Sequence, residues 1–151
     1  MYSWHKILYM FSKKEAQLLT TEFWTVFGKS FPRKWILYDT KIKDFSFKFS
    51  ADSKKAIVSL DVEMKDETTR ISYLEKMKSL ESFLKENLKD YLIEENYQLE
   101  NGKIISRIWV EKTDVSVYNK NTWREIFEFF VEKMQGFETV FLDFEDYIRD
   151  V

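Results

Sequence analysis

Glu63-Met64-Lys65 closes an apolar, strand-like run. An acid, a spacer and a lysine in that place is the arrangement of a metal-dependent nuclease of the PD-(D/E)XK type. In such a site two carboxylates hold Mg²⁺ while the lysine positions or activates the attacking water. The second carboxylate would come from upstream, where Asp52 and Asp44 are available. Neither follows a proline, and Asp52 falls in an expected turn. Glu63 and Lys65 also alternate with Val62 and Met64, so they equally serve a strand that needs a polar face to be soluble. The polar strand face is the plainer expectation, and Glu63→Ala is then expected to cost within about 0.5 kcal/mol.

A second set lies on the outward face of an expected hairpin: Glu94, Asn96, Gln98, Arg107 and Trp109. An arginine beside a tryptophan on a sheet surface stacks on bases or anchors a peptide, and Arg107, Trp109 and Glu94 are the binding candidates. The competing expectation is a cross-strand pair with no ligand. The single histidine, His5, has no partner set for a triad or a zinc site, and the absence of cysteine excludes disulfides, thiolate metal sites and cysteine nucleophiles. Nothing in the chain calls for a cofactor.

The elements that must carry these residues follow from periodicity. Ser12-Lys13-Lys14-Glu15 reads as a capping box opening a helix through Ala16, Leu19, Phe23, Val26 and Phe27, stopped by Gly28 to Pro32. Phe45, Phe47 and Phe49 alternate with polar residues as one strand; Val58, Leu60, Val62 and Met64 form a second after a turn at Ala51 to Lys54. Thr68 to Asp90 reads as one helix with the stripe Ile71, Leu74, Met77, Leu80, Leu84 and Leu88.

Asn101-Gly102 favours a two-residue hairpin turn, because both positions take positive φ there. That register pairs Leu99 with Ile104, Tyr97 with Ser106, Glu95 with Ile108 and Ile93 with Val110, and buries Ile93, Tyr97, Leu99, Ile104, Ile108 and Val110 on one face. Val115 to Tyr118 offers a short extra strand. Thr122-Trp123-Arg124-Glu125 reads as another capping box, opening a helical tract to Ile148 with a kink or break at Gly136.

The expected fold is α+β: a mainly antiparallel sheet of four to five strands with three main helices packed largely on one face, forming a single domain over residues 1–151. Charge is uneven: residues 1–60 hold 11 Lys/Arg and 5 Asp/Glu, residues 61–151 hold 13 and 21, so the halves carry +6 and −8. That gives either a basic surface for phosphate-rich or acidic partners, nucleic acid among them, or two halves that attract each other within one fold or merely differ in their solvated faces. The apolar run Ile7 to Phe11 is too short for a signal sequence, and no stretch reaches the ~20 apolar residues of a membrane span. No membrane and a cytoplasmic setting are the expectation. The C-terminal tract carries more apolar surface than one helix stripe needs, so a homo-oligomer docking through it, at Phe129 and Leu142 first, is a further expectation.

Phe23-Trp24-Thr25-Val26-Phe27-Gly28, the run Pro32 to Tyr38, and Ser106-Arg107-Ile108 followed by Trp123 together resemble a bacterial domain family of unknown function. Its members stand alone or sit C-terminal to restriction-endonuclease-like domains. The resemblance implies no functional residues. The sequence reading is therefore a non-catalytic binding or assembly domain. The alternatives are a nucleic-acid-associated accessory domain or a small Mg²⁺-dependent nuclease built on Glu63, Lys65 and Asp52.

Overall fold

The computed structural model describes residues 3–151, apart from the side chains of Trp4 and residues 7–11. The apolar run Ile7 to Phe11 therefore lies outside the described side chains. The order is α1 (Trp4–Ser30), β1 (Phe45–Ala51), β2 (Lys55–Val62), α2 (Glu67–Lys78), α3 (Glu81–Asn87), β3 (Leu92–Gln98), β4 (Ile104–Thr113), a 3-10 turn (Lys120–Thr122), α4 (Trp123–Asp143) and α5 (Glu145–Arg149). The four strands form an antiparallel sheet in the order β1-β2-β4-β3.

Alternation sorts the sheet into two faces. The inner one carries Phe45, Phe47 and Phe49 of β1, Ala56, Val58, Leu60 and Val62 of β2, and Ile108 and Val110 of β4. The helices pack on it, and α4 lies at the centre of the core. Phe27 of α1 meets both Phe49 and Phe130, while Phe137 and Phe141 of α4 meet Phe47. Large rings let few positions fill the space between layers.

Several expected boundaries move. α1 starts at Trp4, where the Ser3 side chain accepts the Lys6 N–H at 3.2 Å, so Ser12 lies inside the helix and does not cap it. The expected helix over Thr68 to Asp90 is two helices. The chain tightens at Ser79, and Leu84 and Leu88 turn towards α4. α4 does start after Thr122, but the Thr122 hydroxyl bonds Ser116 and Asn119 and caps nothing. α4 runs unbroken through Gly136, and the break falls at Phe144. Gly136 is there for proximity: a Cβ would stand 2.5 Å from the Asn87 carbonyl oxygen. Val115 to Tyr118 forms no strand, although Val117 N–H bonds the Asp52 carbonyl at 3.0 Å.

The hairpin needs the largest correction. β3 and β4 are antiparallel, but Gln98 pairs with Ile104 across a five-residue loop, and Ile93 pairs with Ile108. Between Glu94 and Tyr97 two residues, Glu95 and Asn96, face Ser106 alone, a bulge that reverses the alternation. Tyr97 therefore points to the outer face while Ile93 is on the inner one. Ile108 and Val110 are buried as expected; Ile104 and Ile93 are exposed, and Ile105 is buried in place of Ile104. Arg70 of α2 holds the bulge, donating to the Glu95 carbonyl at 2.5 Å, to Ser106 Oγ at 2.8 Å and to Asn96 Oδ1 at 3.0 Å. Nothing local in β3 announces this, because the residue that shapes it is 25 positions away.

Candidate functional site

Among the described residues the helices pack on the inner face, yet the central side chains of the outer face are buried as well. Ser46 (β1), Asp61 (β2), Arg107 (β4) and Glu94 (β3) form one row across all four strands, and Lys48, Ser59, Trp109 and Leu92 form the next. Strand β2 is central, so its polar residues are flanked from both sides, and Ser59 and Asp61 are almost inaccessible.

Asp61 is held by a bidentate pair, Arg107 Nε to Oδ1 at 2.8 Å and Nη2 to Oδ2 at 2.9 Å, with the Lys48 ammonium 3.6 Å away. Lys48 also bonds Glu63 at 2.9 Å, and Lys103 of the hairpin loop reaches the other Glu63 oxygen at 3.2 Å. Five charges thus form one chain. Burial pushes the Glu63 carboxyl up, but the lysine hydrogen bonds outweigh it and leave the group below its ordinary range. Burial likewise pulls Lys48 and Arg107 down, and their carboxylate partners outweigh it, raising both.

Aromatic rings lie on this network. The Arg107 guanidinium stacks 4.4 Å from the Tyr97 ring, and Tyr97 meets Trp109 edge-on at 5.2 Å. Trp109 Nε1 donates to Glu111 at 3.1 Å. Beside them a cavity of about 480 Å³ opens over Ile57, Tyr97, Leu99 and Arg107, with Asp52 and Lys55 at its rim.

The structure joins the two sequence candidates, because Glu63 and Arg107 share Lys48 and Asp61 as intermediates. Lys48 and Asp61, the linking pair, were not among the sequence candidates. The available signal was polar residues on a strand flanked on both sides. Trp109 is half-buried on the face; Glu94 is exposed opposite Arg107, whose bidentate partner is Asp61. Glu63 is not the loosely solvated strand residue expected, since two lysines hold it.

The remaining nuclease residues are dispersed. Asp52 accepts from the N–H groups of Lys54 and Lys55 in the β1–β2 turn, at the opposite end of β2 from Glu63 and roughly 25 Å away along the strand. Asp44 does approach: its carbonyl accepts the Glu63 N–H at 2.7 Å, with its own φ at 61°. Lys65 lies beyond the strand, just before the α2 cap Asp66. No three acidic, histidine or cysteine groups are placed to hold a metal ion among the described residues. His5 is exposed.

A second polar centre was not foreseen. Glu138 of α4 is buried among the aromatics of its helix, accepting the Ile36 N–H at 2.8 Å and pairing with Arg33, which lies 4.1 Å over Trp35. The motif Pro32 to Tyr38 is therefore clamped onto the core. Its Leu37 carbonyl accepts from Phe47 N–H at 3.0 Å, meeting the β1 edge at its middle. An acid inside an otherwise apolar helix stripe was the sequence signal for this clamp.

No helix among the described residues is long and apolar enough to cross a membrane. No curated protein and no solved structure matches the chain. The family model described as Domain of unknown function (DUF4268) matches residues 19–145. That span takes in the aromatic half of α1, the clamped motif, the whole sheet and α4, so the chain belongs to this family of domains of unknown function.

Proposed function

We propose that this chain is a non-catalytic binding domain that meets a protein partner on the outer face of its sheet. The observation that carries the reading is charge neutralisation beneath half-buried rings. Arg107, Lys48 and Lys103 are all committed to Asp61 and Glu63, while Trp109 and Tyr97 remain partly open. Phosphate backbones need uncommitted cations, whereas protein interfaces favour tryptophan, tyrosine and arginine around a desolvated centre. The same commitments weigh against the nucleic-acid and nuclease alternatives, since Glu63 would have to release two lysines to ligate Mg²⁺.

The test is photo-crosslinking from Tyr38, which is exposed and near Lys48 at the β1 rim, with Leu142 on the helical side as control. A p-benzoylphenylalanine at Tyr38 is expected to give a discrete protein adduct in the source cells, absent from the control and lost with Trp109→Ala. Nuclease-sensitive adducts would favour the nucleic-acid reading, and equal yields from both positions would sink the proposal.

A further inference from the structure

The two edges of the sheet are treated differently. β1 is met midway by the chain itself, where the Leu37 carbonyl accepts the Phe47 N–H. Among the described residues no backbone bond reaches Leu92, Ile93 or Glu94 from the side away from β4. Unpaired edges are usually blunted with charged side chains, proline or a bulge; here the bulge comes only after Glu94, and before it Leu92 and Ile93 carry no charge and no proline. Leu92 is 44% exposed on the outer face and Ile93 36% exposed on the inner one, so adjacent apolar side chains flank the open backbone on both sides.

We propose that this edge docks an extended, lysine- or arginine-bearing segment of a partner protein as a fifth strand. The proposal rests on the reading of the chain as a protein-binding domain, but uses its edge. Charge chooses the occupant. Glu94 and Glu95 have no ion-pair partner among the described residues. A second copy pairing antiparallel about Glu94 would set that carboxylate directly against its own equivalent, and like charges directly opposite destabilise a pair. A foreign strand with a cation opposite Glu94 and aliphatic residues opposite Leu92 and Ile93 gains on every count. The bulge held by Arg70 ends the regular edge after Glu94, so the docked segment is short and its register cannot slide.

The probes are a heptapeptide of alternating valine and lysine, its valine–glutamate counterpart, and the valine–lysine peptide N-methylated at alternate backbone nitrogens. Binding is followed by amide shifts in ¹H–¹⁵N spectra of the whole chain. The valine–lysine peptide is expected to move Leu92, Ile93 and Glu94 saturably. The glutamate peptide should bind about fivefold or more weakly, and the N-methylated one not at all. Glu94→Lys should reverse the charge preference. Equal binding of both charged peptides, shifts confined elsewhere, or indifference to N-methylation would overturn the proposal. So would shifts of these amides with protein concentration alone and a mass above 18.4 kDa, which would give the edge to a second copy. Tyr38 crosslinks with silent β3 amides would overturn the edge and leave the face; responsive amides without crosslinks would do the reverse.

Discussion

The Asp61–Arg107 pair is the residue-scale feature with the sharpest energetic consequence. Asp61 is 1% exposed in its side chain and Arg107 13%, so removing Arg107 leaves a buried carboxylate with only Lys48, 3.6 Å away, as its counter-charge. Arg107→Ala is expected to cost about 3–5 kcal/mol in urea unfolding. Glu63→Ala should cost less, about 1 kcal/mol, because its lysines keep some access to water and can re-solvate. Glu63 also sets a pH signature. Its carboxyl is held below 4.5, so the stability it contributes is present above that value and is lost as pH falls through the lower folded value. Unfolding free energy measured from pH 6 down to pH 3 should decline, and Glu63→Gln should remove part of the slope. Asp61 and Lys48 carried the right residue types in the sequence. Their roles were hidden because a two-residue period says which face a side chain takes, not whether that face is solvated.

Two of the glycines make a controlled comparison at the scale of elements. Gly28 lies in α1 with nothing within 4 Å of an added Cβ, so Gly28→Ala should stabilise by about 0.5–1 kcal/mol through helix propensity. Gly136 lies in α4, where the same methyl would meet the Asn87 carbonyl oxygen at 2.5 Å and a Leu88 methyl at 2.9 Å. Gly136→Ala should therefore destabilise by about 1–3 kcal/mol despite better propensity, because α3 must retreat. Thermal melts of the two variants against the parent check both signs. A glycine within a helical pattern looks the same in either place; what differs is the neighbour across the packing interface. The β3 bulge teaches a similar lesson, since the alternation Ile93, Tyr97, Leu99 continues in sequence while the strand itself has changed face.

For the whole molecule, much of the breadth of α4 is used within the chain, while Leu142 near its end stays exposed. Phe129 is 8% exposed and packs with Phe130, while α4 also meets α3, the sheet and the aromatic half of α1. Phe129→Ala should lower stability by about 3–5 kcal/mol, the cost of truncating a buried ring, without changing the mass seen by light scattering. A fall in mass with unchanged unfolding free energy would instead assign Phe129 to an interface between copies.

The α+β class, the antiparallel sheet with helices on one face, and the aromatic core were all written in the sequence, because periodicity and side-chain volume are local quantities. The stop of α1, the two strands at Phe45 and Val58, and the start of α4 were legible for the same reason. The bulge, the closeness behind Gly136, the clamp of Glu138 on Arg33 and Ile36, and the burial of Asp61 were decided by tertiary structure. Each depends on a partner distant in the chain, up to 105 residues for Arg33 and Glu138. An isolated sequence window holds one member of such a pair and no measure of the distance between them.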